Sequence, residues 1–579
     1  MLKEKIHSVI APIATNIGYN PDLLMPQIAQ RAARWDVAIP CFLIAKEQRC
    51  SPQDVATTLI EHITAQREHN PEIDNLIAKD GLQAIQWYLN IRISPQRLRT
   101  HVIEEITTQQ EERWRSSTHQ GTILVESPSP NTNKPLHLGH VRNMLLGNAV
   151  SNILSSVWYN VVRTEVVNDR GIHICKSMLA YQKFGEGAQP DKKSDHYVGD
   201  FYVAYAKYLQ EHPEAEKEVS DMLQLREQGD PEVRALRQQM NDRALSWFAE
   251  TYQRFNVTIE KRYFESDHYE TGKEIVLAKH QEWLFTKDQK WNIVANLESV
   301  GLPNKVLLRA DGTSIYITQD IALAEIRNND FDLHSMIYVV WNEQQDHFTW
   351  LFAILQQLGY TRADRCHHLS YGMISLPDGK MKSREGNVVD ADNLADEMHQ
   401  QARQLLQERY PDLDATELQE RAEAIAMSAI IFFMLKYEAA KDFVFDPQNS
   451  LSFEGETGPY IQYTAARCAS LLRKKNTTTS PSNIHQRASD AAHQDKERAL
   501  LVTLSRFPDI IHDAANSYDP SHVARYLLEL THTFNSYYHD VRILSGDESE
   551  AIRLIIVQAV RQTIHNASSL LDIRLLAEM

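Results

Sequence analysis

The stretch from Gly121 to Val157 constrains the fold more than any other. Thr122-Ile-Leu-Val125 is a short β-rich run, and the turn-forming Ser127-Pro-Ser-Pro-Asn131 ends it. Met144, Leu145, Ala149, Ile153, Leu154 and Val157 then recur at helical spacing, so a buried strand runs through a loop into a helix. That order is one unit of a doubly wound parallel sheet. Apolar runs at Val161-Val162, Val166-Val167, Ile315-Tyr-Ile317, Met336-Ile-Tyr-Val-Val340 and Tyr371-Gly-Met-Ile-Ser-Leu376 supply further strands, alternating with helical segments as such a sheet requires.

At 579 residues the chain is too long for one hydrophobic core, so several domains are expected. Residues 1–115 mix helical patterns with short apolar runs such as Ile39-Pro-Cys-Phe-Leu-Ile-Ala45, and Ser51-Pro-Gln-Asp54 starts a helix; this reads as a small α/β domain. Residues 116–390 hold the doubly wound sheet, with a polar Glu-, Gln- and Lys-rich excursion at about 190–300 that reads as a mainly helical insertion. Beyond Asp390 the chain reads helical almost to its end, as a region 391–475 and an all-helical domain 476–579, with a polar linker at 474–483. Val523, Leu527, Leu530, Phe534, Tyr537 and Val541 fall on one helix face turned to a core. Tyr526 and Tyr538 lie off that stripe, where a tyrosine can stack on an unpaired base, although packing is the commoner use. Arg473-Lys-Lys475 could meet phosphate, although a solvated helix end is the commoner use of such a run.

No run approaches the roughly 20 apolar residues that span a bilayer, and the polar N-terminus lacks the apolar core of a signal peptide; a soluble, cytoplasmic, monomeric protein is expected. The five cysteines are scattered, which points to reduced thiols rather than a disulfide framework or a zinc knuckle. A formal charge of −17 argues against indiscriminate coating of nucleic acid, because nonspecific binding needs phosphate neutralisation. Local basic strips and base stacking can still hold a folded RNA.

His137-Leu-Gly-His140 stands where the loop opens the helix. Two histidines three apart are, taken alone, a surface pair or half a metal site; this position changes the reading. The segment resembles the His-x-Gly-His motif of class I aminoacyl-tRNA synthetases and their nucleotidylyltransferase relatives, in which two imidazoles at a helix N-terminus face ATP phosphates and the glycine admits the nucleotide to the backbone. Donors and a helix dipole so placed stabilise the charge that builds on the α-phosphate when a carboxylate attacks it. Lys380-Met-Lys-Ser-Arg-Glu-Gly-Asn387 is similar to the Lys-Met-Ser-Lys-Ser loop of the same enzymes, whose lysines clamp the β- and γ-phosphates. Here Ser383 stands at the second family lysine and Lys382 one place before it. Some arginyl enzymes carry the missing lysine just ahead of the His motif, a place Lys134 occupies.

The segment from Glu126 to His140 resembles the arginyl-synthetase pattern Glu-x-x-Ser-Pro-Asn-x-x-Lys-Pro-x-His-x-Gly-His. So do Asp311-Gly-Thr-Ser-Ile-Tyr-Ile-Thr-Gln-Asp320, Tyr338-Val-Val-Trp-Asn-Glu-Gln-Gln-Asp-His347 and Glu456-Thr-Gly-Pro-Tyr-Ile-Gln-Tyr463. The resemblance implies an α/β multidomain enzyme with a Rossmann-type catalytic sheet, a tRNA-contacting N-terminal domain and a helical anticodon-binding C-terminal domain. It implies adenylation of L-arginine by ATP, with Mg2+ brought by the nucleotide and no protein-bound metal, and transfer to tRNA(Arg). His137, His140, Lys380, Lys134 and Lys382 would be catalytic; His137, Gly139, His140, Met373 and Lys380 would hold ATP; Glu126, Asn131, His137, Tyr316, Asp320 and Gln344 would hold arginine. The groups suit the ligand: a planar, permanently charged guanidinium favours carboxylates such as Glu126 and Asp320 and a flat ring such as Tyr316. A cysteinyl or glutamyl synthetase, a catalytically silent paralogue and a small-molecule nucleotidylyltransferase are the alternatives. The scattered cysteines weigh against the first, the Tyr316/Asp320 segment against the second, the retained histidines and Lys380 against the third, and the long helical C-terminal part against the last.

Overall fold

The computed structural model describes residues 2–28, 35–132, 135–170, 172–185, 201, 204–205, 207–360, 362–377, 379–380, 389–475 and 494–579. The chain divides into two compact units, Ser116–Leu451 with Tyr518–Ser521, and Met1–Arg115 with Ser452–Ser517 and His522–Met579.

The second of these joins both ends of the chain. Its N-terminal part is an antiparallel sheet of β1 (Gln27–Ile28), β2 (Val37–Pro40), β3 (Ile77–Ile85) and β4 (Tyr88–Ile93) in the order β1-β2-β4-β3. The helix Pro52–Arg67 buries Val55, Ala56, Leu59 and Ile63, and Ser51 and Asp54 close a reciprocal capping box at its start. Helices make up the C-terminal part. On Ser521–Asp540 the stripe Val523, Leu527, Leu530, Phe534 and Tyr537 is buried as its spacing requires. Tyr526 is buried too: its ring stacks on Phe507 and its hydroxyl donates to the Thr503 carbonyl (3.1 Å), so it is not a base platform. Tyr538 is 37% exposed with the Arg467 guanidinium 4.7 Å from its ring. Buried ion pairs join the two ends of the chain: Arg498 Nε donates to Asp36 Oδ1 (2.8 Å) and Arg99 Nε to Glu497 Oε1 (2.8 Å). Arg473 pairs with Glu578 and Lys475 with Glu550. Most of the 474–483 linker lies outside the described residues.

The other unit is built on a parallel sheet of β5 (Thr122–Glu126), β6 (Asn160–Val167), β7 (Lys261–Phe264), β11 (Leu333–Trp341) and β12 (Cys366–Tyr371), ordered β12-β11-β5-β6-β7. The chain winds outward from β5 to β7, then returns to the far side of β5 for β11 and β12. Strand order therefore reverses between β5 and β11, and the crevice at their carboxyl ends is where such sheets bind ligands.

Two readings of the sequence need correction. The Val161 and Val166 pairs lie on one strand, β6, while Ile315-Tyr-Ile317 is no strand: Tyr316 begins the helix Tyr316–Asp330. Thr318 Oγ1 accepts the Ile315 N–H (3.3 Å), and Ile317, Ile321 and Ala324 bury into the core beside Leu124 and Leu351 at helical spacing. The described part of the stretch at 190–300 is mainly helical as expected, with short strands in addition. Helices Ala215–Glu227 and Pro231–Arg254 give way to β7 of the main sheet and, after the helix Glu265–Gln281, to a small antiparallel sheet of β8 (Thr286–Lys287), β9 (Ile293–Ala295) and β10 (Lys305–Leu308). β7 is an edge strand with only Tyr263 buried, so it carries no apolar run.

The helix Leu138–Ser156 lies close on the loop after β5, because Gly147 faces Ser127. A Cβ there would come within 2.4 Å of Ser127 Oγ and 2.5 Å of Ser127 Cβ. Gly147→Ala is accordingly expected to lower stability by about 1–3 kcal/mol through overpacking, seen as a lower urea midpoint at unchanged m.

Candidate active site at the strand ends

His137 caps the helix that follows β5. Its Nδ1 accepts the Gly139 N–H (3.1 Å), and His140 Nδ1 accepts the His137 N–H (3.1 Å), with the two rings 3.8 Å apart. An imidazole whose Nδ1 accepts carries its proton, when neutral, on Nε2, so each ring presents Nε2–H as a donor at a helix N-terminus. Gly139 leaves room for this: a Cβ would stand 3.0 Å from His137 Cε1.

The segment after the lysine loop returns to the His motif. Leu138 N–H donates to Val389 O (3.1 Å) and Ala391 N–H to Leu136 O (2.9 Å). On its other side the loop begins from β14 (Gly379–Lys380), which pairs antiparallel with β13 (Ile374–Leu376) and puts Lys380 opposite Ser375; β13 pairs in turn with β15 (Phe443–Val444). The Tyr371–Leu376 run thus splits, its first residue ending β12 and its last three forming β13. Met373 is held by its backbone, its N–H on Asp442 Oδ1 (2.6 Å) and its carbonyl accepting from Phe443 (3.1 Å). Lys134, Lys382 and Ser383 lie outside the described residues, as does the side chain of Lys380.

The carboxylates come from two elements. Glu126 ends β5 opposite Tyr338 of β11, with Arg327 Nη2 2.6 Å from its Oε2 and Ser129 Oγ donating to its Oε1 (3.3 Å). Tyr316 and Asp320 lie one turn apart at the start of Tyr316–Asp330, where Tyr316 is 80% exposed and Asp320 Oδ2 is 2.6 Å from His347 Nε2. Gln344 ends the short turn that follows β11, and Asn131 bridges Asn168 beyond the ends of β5 and β6. All six residues of the expected arginine set therefore lie at carboxyl ends of sheet strands or at the first turns of helices of this unit.

Three partners escaped the sequence reading. His347 was quoted only as part of a pattern, Arg327 sits on the helix face of Tyr316 and Asp320 but two turns deeper, and Arg142 follows the His motif. Arg142 is fully buried, and its guanidinium donates to Gly372, Glu438, Ala439 and Lys441 carbonyls (2.6–3.3 Å), 4.5 Å above the Phe443 ring. Burial lowers its pKa to about 10, so it stays charged at neutral pH. It fastens the His-motif helix to the chain around Met373.

A family model described as tRNA synthetases class I (R), catalytic domain, matches residues 102–447, and one described as DALR anticodon binding domain matches 461–579. The chain belongs to the arginyl-tRNA synthetase family. It is 41% identical to the arginine–tRNA ligase of Treponema denticola, over 92% of this chain and 91% of that one. To that of Porphyromonas gingivalis it is 38% identical over 99% of each. The solved arginyl-tRNA synthetase of Thermus thermophilus superposes with a TM-score of 0.83 at 27% identity, over 100% of both chains.

Removing Arg142 strips four carbonyls, two buried and two part-buried, of a donor, each bond worth about 1 kcal/mol. Arg142→Met is therefore expected to cost roughly 3–4 kcal/mol in urea denaturation, and Arg142→Lys less.

Proposed function

We propose the following division of labour for the reaction of this family, in which the chain activates L-arginine with ATP and transfers the arginyl group to tRNA(Arg). The observation that carries it is the donor pair His137 and His140 at a helix N-terminus, standing at the same strand ends as Glu126 and the Tyr316–Asp320 turn.

ATP lies along the His motif, with its adenine near the Met373 backbone and its phosphates before the two Nε2–H groups. The arginine carboxylate, already ionised, attacks the α-phosphate, so no base is needed. Its Cα-side groups rest on Asn131 and Gln344. The bond from the α-phosphorus to the β-bridging oxygen breaks, and pyrophosphate leaves with its charge spread over Lys380 and the helix N-terminus. Lys134 and Lys382 share the duty of the second family lysine, and Mg2+ accompanies the nucleotide. The ribose hydroxyl at the tRNA 3′ end then attacks the arginyl carbonyl and AMP leaves. Residues 1–115 and 476–579 contact the tRNA and 391–475 its stem side. The enzyme works as a cytoplasmic monomer; among the described residues no helix is long and apolar enough to cross a membrane.

His137→Ala or His140→Ala should slow adenylate formation about 10²-fold or more with tRNA binding nearly intact, measured by pyrophosphate exchange with tRNA present. Normal exchange in both variants would remove the phosphate site from these histidines. For the pocket, total tRNA is charged with each amino acid in turn by the native protein and by Asp320→Asn. The native protein should charge arginine alone. The variant keeps the shape of Asp320 but loses a charge-assisted bond, a cost of ~2–5 kcal/mol, so KM for arginine should rise about 30-fold or more while those for ATP and tRNA hardly move. An unchanged arginine KM with a lowered Tm would make Asp320 a structural residue.

A further inference from the structure

The arginine pocket holds two carboxylates for a ligand that brings one guanidinium, and one of the two already has a guanidinium of its own. Arg327 is fully buried, whereas the Glu126 side chain is 12% exposed, so the carboxylate lies between an interior cation and the crevice. Spacing along the helix explains the arrangement. Tyr316, Asp320 and Arg327 stand at i, i+4 and i+11, a single stripe that runs from the exposed first turn into the core. The stripe meets β5 and β11 at Glu126 and Tyr338. Tyr263 and Tyr338 flank the guanidinium, at 5.1 and 5.6 Å from its carbon to their ring centres.

We infer that Arg327 is a positioning and specificity-determining residue: it holds Glu126 Oε2 and turns Oε1, which also accepts from Ser129 Oγ, towards the substrate. The inference rests on the pocket assignment above. The charges decide its sense. Glu126 and Asp320 together bring two carboxylates, and Arg327 brings one guanidinium, so the fixed charge left matches one guanidinium. A carboxylate buried here without a partner would be costly. Burial alone would pull the Arg327 guanidinium down, but Glu126 beside it holds it above its ordinary value, so the internal cation never titrates in the working range.

The groups around the pair are Asp320 on the same helix, Tyr338 on β11, Cys366 on β12, and Tyr263 and His268 on β7 and the helix that follows it. Burial raises both phenols and pushes the Cys366 thiol up to about 12, so these stay neutral. Burial lowers His268 below its usual value, so it is neutral above pH 6.5.

The test is the arginine KM of native enzyme, Arg327→Met, Glu126→Gln and the double variant, with the ATP KM as control. Without Arg327 the Glu126 carboxylate loses the contact that fixes its Oε2. Arg327→Met should therefore raise the arginine KM by about tenfold or more and leave the ATP KM unchanged, with Arg327→Lys recovering part of the loss. Glu126→Gln should raise the arginine KM, and in its background Arg327→Met should add little. Should Arg327→Met fail to fold by circular dichroism, Arg327→Gln carries the same expectation. An arginine KM of the variant equal to the native one, or a double variant whose rise is the product of the two single rises, with Glu126→Gln still raising KM, overturns the role of Arg327 alone. An arginine KM unmoved by Glu126→Gln overturns the pocket assignment and this inference with it.

Discussion

One amide holds the catalytic crevice together. Asn143 accepts from Ser127 Oγ (2.7 Å) through its carbonyl, and its Nδ2 donates to Val339 O (2.7 Å) and is 3.3 Å from Tyr371 Oη. The loop after β5, the end of β11 and the end of β12 are thereby fixed to one turn of the His-motif helix. This is the point at which strand order reverses, and there the ladder between β5 and β11 is joined to the helix by one buried side chain with both a donor and an acceptor. A buried network of this kind is stable only when every member is satisfied. Arg142, the residue before it, extends the same fastening to the segments just ahead of β13 and β15 by way of backbone carbonyls.

What could be read from residues alone follows from how far each signal reaches. The β5–loop–helix unit was plain because a fully buried strand and a periodic helix flank a Pro-rich turn, all within 40 residues of chain. Ile315-Tyr-Ile317 was misread because three β-branched or aromatic residues look alike at the start of a helix and in a strand, and only the Thr318 cap tells them apart. β7 was hidden in a charged stretch because an edge strand need bury only one side chain. Tyr526 lay off the apolar stripe yet is buried, since helices packed on two sides bury more than one face. In the site, local pattern and family resemblance named the carboxylates. Their partners Arg327 and His347 come from other turns and other elements, and pairing across the fold leaves no mark in local spacing.

The lysine-bearing segment is anchored at both of its described ends. On one side it starts from a strand pair at β13 and β14, and on the other it ends in backbone bonds to the His motif itself. Both anchors are made by main-chain groups, so side chains at Leu136 and Val389 can change while the spacing between His137 and the loop is kept. Two distant segments are placed side by side in this way by hydrogen bonds whose geometry is independent of sequence.

The ion pair between Asp36 and Arg498 sets a condition on how the chain is made. Its two members stand 462 residues apart, and both are buried. At translation speeds of roughly 5–20 residues per second, Asp36 leaves the ribosome about half a minute to a minute and a half before its partner exists. During that interval the N-terminal sheet must keep the carboxylate in water, and the Ser116–Leu451 unit, contiguous but for four residues, is synthesised in full and free to fold first. In a newborn chain the unit that joins the two ends is then the last to close, so its long-range pairs are made after the catalytic sheet has been synthesised.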